Sequence, residues 1–175
     1  MPNSHDILFC TNDAVALDGL TRFIAAALRE GNPAIVWATE LHRCALIQRL
    51  RADGVDVDGA IERGTYIASD VAEVAEPGHV LMTLKGLSEA ASKVGKKHPR
   101  VAACGERAGR LWADGKTDAA IRLEQLFNEL AKIHDMNILC VYPLPDAEEY
   151  KPALNRLCAE HTTMSFRWSE FADGG

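Results

Sequence analysis

The junction between the first predicted strand and the first predicted helix is where many nucleotide-binding domains keep a phosphate loop. Residues 8 to 23 read LFCTNDAVALDGLTRF: a short apolar run, a polar turn, then apolar positions at helical spacing. A loop of the G-x-x-x-x-G-K-[ST] type needs glycines, a lysine and a hydroxyl that binds magnesium. Neither glycine nor lysine lies between Phe9 and Val15, and Asp13 falls in the first helical turn, where it would repel a phosphate. The sequence therefore predicts the strand–turn–helix arrangement of a nucleotide-binding domain without the residues that bind phosphate.

Polar residues also follow the other predicted strands. In an open parallel sheet, ligands collect in the crevice beyond the carboxyl ends of the strands. The crevice candidates are therefore the polar residues at those ends: Thr11, Asn12, Asp13, Thr39, Glu40, Lys85, Cys104, Glu106, Arg107 and Tyr142.

The segment CGER, residues 104 to 107, is the richest of these in polar groups. Gly105 allows a tight exit from the strand, which places Glu106 where a helix begins. Glu106 then has two interpretations: a ligand-binding carboxylate, or a helix cap that also pairs with Arg110 at i+4. Cys104 is expected to be a small core residue and not a nucleophile, because no histidine lies near it in sequence.

Glu124 and Asn128 lie one turn apart beside the apolar stripe of a predicted helix, so they either face one ligand or form a solvated flank. His5 and His161 have no metal-ligand spacing to another histidine or to a carboxylate pair, so each is expected to be a structural histidine. The chain also has no Ser-His-Asp arrangement and no paired-carboxylate motif. The sequence thus predicts no catalytic residue, no bound metal and no cofactor.

Composition narrows the class of protein further. The chain has 175 residues, 47% of them apolar and 25% charged, which is typical of one globular domain. Its net charge of −6 disfavours direct nucleic-acid binding. The basic run Lys93–Arg100 is interpreted as a solvated helix end, and the alternative is an anion site that involves Arg100. Five cysteines without a C-x-x-C pair indicate reduced thiols in a cytoplasm, and no segment indicates export or a membrane span.

Strand-length apolar runs alternate with helical stretches along the chain. Each of DILFC, AIVWA and HVLMTL is followed by a predicted helix, over Asp13–Glu30, Leu41–Ala52 and Leu87–Lys97 respectively. TYIAS, RVAAC and NILCVYPL are further strand candidates, TTMSFRW is a predicted edge strand, and Thr117–His134 and Glu148–Glu160 are predicted helices. This alternation predicts a single three-layer α/β domain over residues 1–175 with a mostly parallel central sheet.

Several of these segments together resemble a known family. HDILFCTND, AIVWATE, GVDVDGAIERGTY, RVAACGERAGRLW, LEQLFNEL, ILCVYPL and LCAEHTTM resemble, in that order, the MEDS (methanogen/methylotroph, DcmR sensory) domain. The resemblance implies a degenerate relative of the RecA/KaiC-like ATPase core that lacks the phosphate loop and serves as a sensory or regulatory module. The recurring polar residues that it implies correspond here to His5, Arg100, Glu106, Trp112, Glu124, Asn128, Cys140, Tyr142 and His161.

The leading hypothesis is a non-catalytic sensory domain that binds a small polar ligand or a signalling protein, such as a histidine kinase or a transcriptional or sigma-factor regulator. Homo-oligomerisation is left open. The expected ligand-binding residues are Thr11, Asn12, Arg100, Glu106, Arg107, Glu124, Asn128 and Tyr142. The alternatives are a RecA/KaiC-type ATPase with a degenerate loop, for which Arg22 is the nearest cation, and an interaction module without a ligand.

Overall fold

Six strands form one sheet in the computed structural model, which describes residues 3–75, 77–143, 155–157, 159–161 and 163–167. The strands are β1 (His5–Cys10), β2 (Ala34–Ala38), β3 (Tyr66–Asp70), β4 (Val101–Gly105), β5 (Met136–Pro143) and β6 (Thr163–Arg167). Their order is β3-β2-β4-β5-β1-β6, and every pairing between neighbours is parallel. The carboxyl ends of all six strands therefore lie along one edge of the sheet.

Helices connect the strands across both faces of the sheet. They are α1 (Asp13–Arg29), α2 (Glu40–Ala52), α3 (Val57–Glu62), α4 (Pro77–Lys93), α5 (Arg107–Ala113) and α6 (Thr117–Ile133), with a 3₁₀ turn at Val71–Ala75 and further helical residues at 155–157. None of the helices within the described ranges combines the length and the hydropathy needed to cross a bilayer.

Alternating side chains of the strands pack into two separate hydrophobic cores, one on each face of the sheet. On β5, Cys140 and Tyr142 face α4, α5 and α6, whereas Leu139 and Val141 face α1, α2 and α3. The other buried strands alternate in the same way, as expected when a strand is covered on both sides. The predicted three-layer α/β class with a parallel sheet is confirmed.

The segment HVLMTL is not a strand, so this prediction was wrong. It belongs to α4, whose buried residues Val80, Leu84 and Leu87 recur at helical spacing, while Met82 is 68% exposed. High apolar density suggested a strand, but the spacing of the buried positions decides for a helix. Lys85 is consequently exposed on a helix and does not follow a strand.

Most of the other predicted elements are present. TYIAS and RVAAC form β3 and β4, TTMSFRW contains the edge strand β6, and α6 matches the predicted helix almost to the residue. The turn-rich segment before β3 instead forms α3, which Asp56 caps by accepting a hydrogen bond from the amide of Gly59. Most of the predicted helix Glu148–Glu160, including Cys158, lies outside the described residues.

Gly109 allows α5 to approach β5 closely. A Cβ at this position would lie 2.2 Å from the carbonyl oxygen of Val141 and 2.9 Å from Cα of Tyr142. Both neighbours are backbone atoms of a central strand, so they cannot move aside as a flexible side chain can. The absence of a side chain at Gly109 therefore sets the distance between α5 and the strand that carries Cys140 and Tyr142.

Gly109→Ala is expected to lower the free energy of unfolding by about 1–3 kcal/mol, because the added methyl group overpacks the helix against backbone. Gly86 in α4 is the matched control, since a Cβ there has no neighbour within 4 Å. Gly86→Ala should raise stability by roughly 0.5–1 kcal/mol through helix propensity. Urea unfolding of both variants measures the two changes in free energy. Equal changes of the same sign would show that a side chain at Gly109 does not overpack α5 against β5.

Candidate functional site

A polar cleft of ≈ 370 Å³ opens at the carboxyl edge of the sheet. It is bounded by the β1–α1 turn, the start of α2, and α5 with the residue after it. Its polar lining comprises Thr11, Asn12, Asp13, His42, Glu106, Arg110 and Asp114. The cleft lies where ligands collect on open parallel sheets.

A buried pair, His42 and Glu106, forms the floor of this cleft. His42 Nδ1 is hydrogen-bonded to Glu106 Oε1, and the backbone amide of Thr39 donates to Glu106 Oε2 at 3.1 Å. His42 is 7% exposed and Glu106 is also 7% exposed. The Glu106 side chain makes no capping hydrogen bond to α5, so that part of the capping interpretation was wrong. A buried carboxylate with a histidine partner instead presents a polar floor to the cleft.

The β1–α1 turn forms one rim of the cleft and consists of only Thr11 and Asn12. Asn12 caps α1: its side chain accepts from the amide of Val15 at 3.0 Å, and its carbonyl accepts from the amide of Ala16 at 3.2 Å. Asp13 follows, with its carboxylate 3.6 Å from His42 Nε2. In a phosphate loop, the backbone amides at this position bind the anion. Here the helix cap already uses the amides of Val15 and Ala16, and the carboxylate of Asp13 lies beside them.

A second group of polar side chains lies between the sheet and α6, on the other side of β5. Its centre is Glu124, which is 0% exposed. Glu124 Oε2 lies 2.9 Å from His5 Nε2, 3.0 Å from His161 Nε2 and 3.2 Å from Cys140 Sγ. Tyr142 donates its hydroxyl to the other oxygen, Oε1. We call His5, Glu124, Cys140 and His161 the Glu124 cluster.

The local environment sets the charges in the Glu124 cluster. Burial raises the pKa of Glu124, but hydrogen bonds from His161 and His5 outweigh it and lower that pKa to about 2. For His161, burial lowers the pKa, but its hydrogen bond to Glu124 and the carboxylate charge turn the net shift upward. Burial, together with the negative charge of Glu124, raises the pKa of the Cys140 thiol well above its usual value. Glu124 is therefore a carboxylate held in the interior by its neighbours.

The structure distributes the eight predicted ligand-binding residues over several places. Thr11, Asn12 and Glu106 lie in the cleft, whereas Glu124 and Tyr142 lie in or against the Glu124 cluster, and Asn128 contacts its outer side through His5. Arg107 lines a narrow cavity beside Trp37 and Phe127 on the α6 face of the sheet. Arg100 stands at the amino end of β4, with Nη1 3.5 Å from Asn137 Oδ1, at the edge opposite the cleft. Whether these residues bind a ligand stays a prediction.

Sequence reasoning missed His42 and the assembly of His5 with His161. His42 has a local signal, because it falls in the first turn of the helix after β2, at the carboxyl edge. Glu124 also has one: it stands four residues after Ala120 and three before Phe127, which places it within the buried stripe of α6 and not on a solvated flank. His5 and His161 have none, because only the fold brings the two ends of the chain together.

Glu124→Gln is expected to lower the free energy of unfolding by about 3–5 kcal/mol, because it leaves buried partners without their charged acceptor. Glu129→Gln is the matched control on the same helix, since Glu129 is 70% exposed and forms a surface ion pair with Lys132. That change should cost less than about 1 kcal/mol. Chemical denaturation of both variants measures the difference, and similar losses would contradict the role assigned to the buried carboxylate.

Comparison with known proteins supports a family assignment. The family model described as MEDS, MEthanogen/methylotroph, DcmR Sensory domain, matches residues 4–162. A search of curated proteins found no match. Because the matched region covers most of the 175 residues and includes both the cleft and the Glu124 cluster, the chain belongs to the MEDS sensory domain family.

Proposed function

We propose that this MEDS domain is a non-catalytic sensor that binds a small polar molecule in the cleft at the carboxyl edge of the sheet. The observation that carries the proposal is the polar cleft with the buried His42–Glu106 pair in its floor. The family assignment supports a sensory role in general terms. The ligand, the absence of catalysis and the partner are parts of the proposal.

The size and lining of the cleft favour a compact polar ligand. Its volume falls within the range of about 300–1,000 Å³ that is typical of small-molecule sites. Asp13, Glu106 and Asp114 supply acceptors, while Arg110 and His42 supply donors. A ligand with both donor and acceptor groups fits this mixed lining better than a purely anionic one, because the carboxylates of Asp13 and Asp114 disfavour anions.

Three segments meet at the cleft, which gives a route for signalling. The β1–α1 turn, the start of α2 and helix α5 each contribute lining residues, so a ligand that contacts all three favours one arrangement of them. A signalling protein that binds one arrangement better than the other would read out ligand occupancy. A histidine kinase or a transcriptional or sigma-factor regulator is the proposed class of partner.

The ATPase alternative is disfavoured by the short β1–α1 turn. Two residues join β1 to α1, which leaves no loop to surround a triphosphate. Arg22, the cation that this alternative relies on, forms an ion pair with Asp18 along α1, with a separation of 2.9 Å. Asp13 and Asp114 at the cleft add further repulsion for phosphates.

A metabolite screen by thermal shift tests the sensor proposal. The expected hit stabilises the wild-type chain, and Arg110→Ala weakens its binding by roughly tenfold or more, because a hydrogen bond to a charged group contributes about 1.5–3 kcal/mol. Thr11→Val should weaken it by a smaller factor, because a hydrogen bond between neutral groups contributes about 0.5–1.5 kcal/mol. Arg122→Ala is the matched control, since Arg122 is exposed on α6 and does not line the cleft. A hit whose affinity is unchanged in both cleft variants would place the ligand elsewhere.

Titration with ATP, with and without magnesium, separates the proposal from the ATPase alternative. We expect no saturable binding below about 1 mM and no turnover, because the expected phosphate position lacks glycines and lysine and has Asp13 beside it. Isothermal titration calorimetry and phosphate release measure the two quantities. Micromolar ATP binding with hydrolysis would refute the non-catalytic proposal.

A further inference from the structure

We propose that His5, Glu124, Cys140 and His161 bind one divalent transition-metal ion of the Zn²⁺ class in the interior of the domain. This site is separate from the cleft and does not depend on the sensor proposal. The four residues come from β1, α6, β5 and the segment after residue 155, so that one ion would join both ends of the described chain. No sequence motif announces this site, because its ligands meet only through the fold.

The separations between the donor atoms fit four-coordinate binding. One ligand atom from each residue lies within 4.8 Å of the other three. The closest pairs are 2.9–3.4 Å apart, including 3.4 Å from His5 Nε2 to Cys140 Sγ. Tetrahedral zinc, with bonds of about 2.0 Å to nitrogen and oxygen and about 2.3 Å to sulfur, requires separations of roughly 3.3–3.6 Å. The closest pairs would move apart by a few tenths of an ångström, and the widest separation, within 4.8 Å, would close as the side chains turn toward the ion.

Hydrogen bonds outside the cluster orient the His5 ring for metal binding. Asn128 Nδ2 donates to the carbonyl and the carboxylate of Glu160, at 2.7 and 2.9 Å. The Asn128 oxygen is thereby turned to His5 Nδ1, 2.7 Å away, and this nitrogen must be the donor. In a neutral ring Nε2 then carries the lone pair, and Nε2 is the atom that points into the cluster. An outer acceptor on the second ring nitrogen is typical of metal-binding histidines.

His161 and Glu124 are oriented by outer contacts of the same kind. His161 Nδ1 donates to the carbonyl of Leu157 at 2.5 Å, which leaves Nε2 facing the cluster. Tyr142 holds Glu124 Oε1, so that Oε2 faces the two histidines and Cys140. Three of the four proposed ligands therefore have an outer hydrogen bond that fixes the direction of the ligating atom.

Charge balance also favours a metal ion. A divalent ion that binds Cys140 displaces the thiol proton to solvent, and the resulting thiolate and the Glu124 carboxylate carry two negative charges, which the ion cancels between two neutral imidazoles. Each Nδ1 is directed outward and each Nε2 faces the carboxylate, so the ligating atoms converge in the interior, where Glu124 is 0% exposed and His5 is 2% exposed. A neutral centre is the less costly occupant of such an interior.

The ligand types select the class of ion. Imidazole and thiolate favour Zn²⁺ and its neighbours in the first transition row over Mg²⁺ and Ca²⁺, which prefer oxygen ligands. A cleft of ≈ 300 Å³ reaches the cluster from outside and is lined in part by His5, Asn128, Glu129 and Glu160. Glu160 places negative charge along this route, which suits an incoming cation, whereas Glu129 is paired with Lys132 in the same lining.

Cobalt(II) substitution tests the site in the full chain. Tag-free protein treated with chelator and titrated with Co²⁺ is expected to bind one ion per chain, with strong visible bands of tetrahedral cobalt and a near-ultraviolet thiolate-to-cobalt charge-transfer band. Zn²⁺ should displace the cobalt stoichiometrically. A wild-type chain that gives no thiolate charge-transfer band would overturn the proposal, whatever the variants do.

Two variants and one control locate the ion. Cys140→Ala is expected to abolish the charge-transfer band and to weaken binding more than about 100-fold, beyond the 10- to 100-fold typical of an outer hydrogen bond. Cys104→Ala is the matched control, because Cys104 is equally buried but faces the opposite core. Tyr142→Phe, a change at a positioning residue, should weaken binding about 10- to 100-fold while the cobalt bands keep their positions. Unaltered binding by a folded Cys140→Ala protein would also overturn the proposal.

Discussion

A carboxylate placed in the interior of this domain constrains much of the structure around it. Glu124 is 0% exposed, and an isolated charge at such a position would be prohibitively costly. The fold compensates by bringing His5, His161, Cys140 and Tyr142 against its two oxygens. The start of β1, the middle of β5, helix α6 and the segment near residue 160 must therefore stay in place together.

Strand β5 separates the Glu124 cluster from the cleft. Cys140 and Tyr142 face α6, whereas Val141, between them, faces α1 and also lines the cleft. Gly109 allows α5 to sit close against the same stretch of β5, and α5 contributes Arg110 to the cleft. The cleft and the Glu124 cluster are therefore connected by a single strand and a closely packed helix. This arrangement is physically suited to a sensor, because packed elements of this kind tend to shift as units.

The sequence predicted the frame of the fold better than its polar interior. Periodicity alone identified α6 and the strands β1, β2, β4 and β5, because buried strands and amphipathic helices repeat at different intervals. It failed at HVLMTL, where dense apolar residues concealed the helical spacing of Val80, Leu84 and Leu87. It also gave no warning that His5 and His161 would meet, since pairing between the two ends of a chain leaves no local spacing to detect.

The predictions for the candidate site succeeded or failed for the same reason: local sequence shows where a strand ends, but not which distant residues meet. Thr11, Asn12 and Glu106 were found at the carboxyl edge because the rule for parallel sheets depends only on where strands end. Arg100 failed to join them because it precedes its strand, at the opposite edge. The resemblance to the MEDS family implied nine recurring residues, and the structure brings four of them, His5, Glu124, Cys140 and His161, into one cluster. Residue types were thus predictable, while their assembly required the fold.

The protonation of the two imidazole rings tests the central claim most directly. Long-range ¹H–¹⁵N correlation spectra of the histidine side chains distinguish a protonated from an unprotonated ring nitrogen. Outward hydrogen bonds to Asn128 and Leu157 predict a proton on Nδ1 of both His5 and His161, so that each Nε2 is directed at Glu124. A ring at either position whose Nδ1 lacks a proton would contradict this organisation of the cluster.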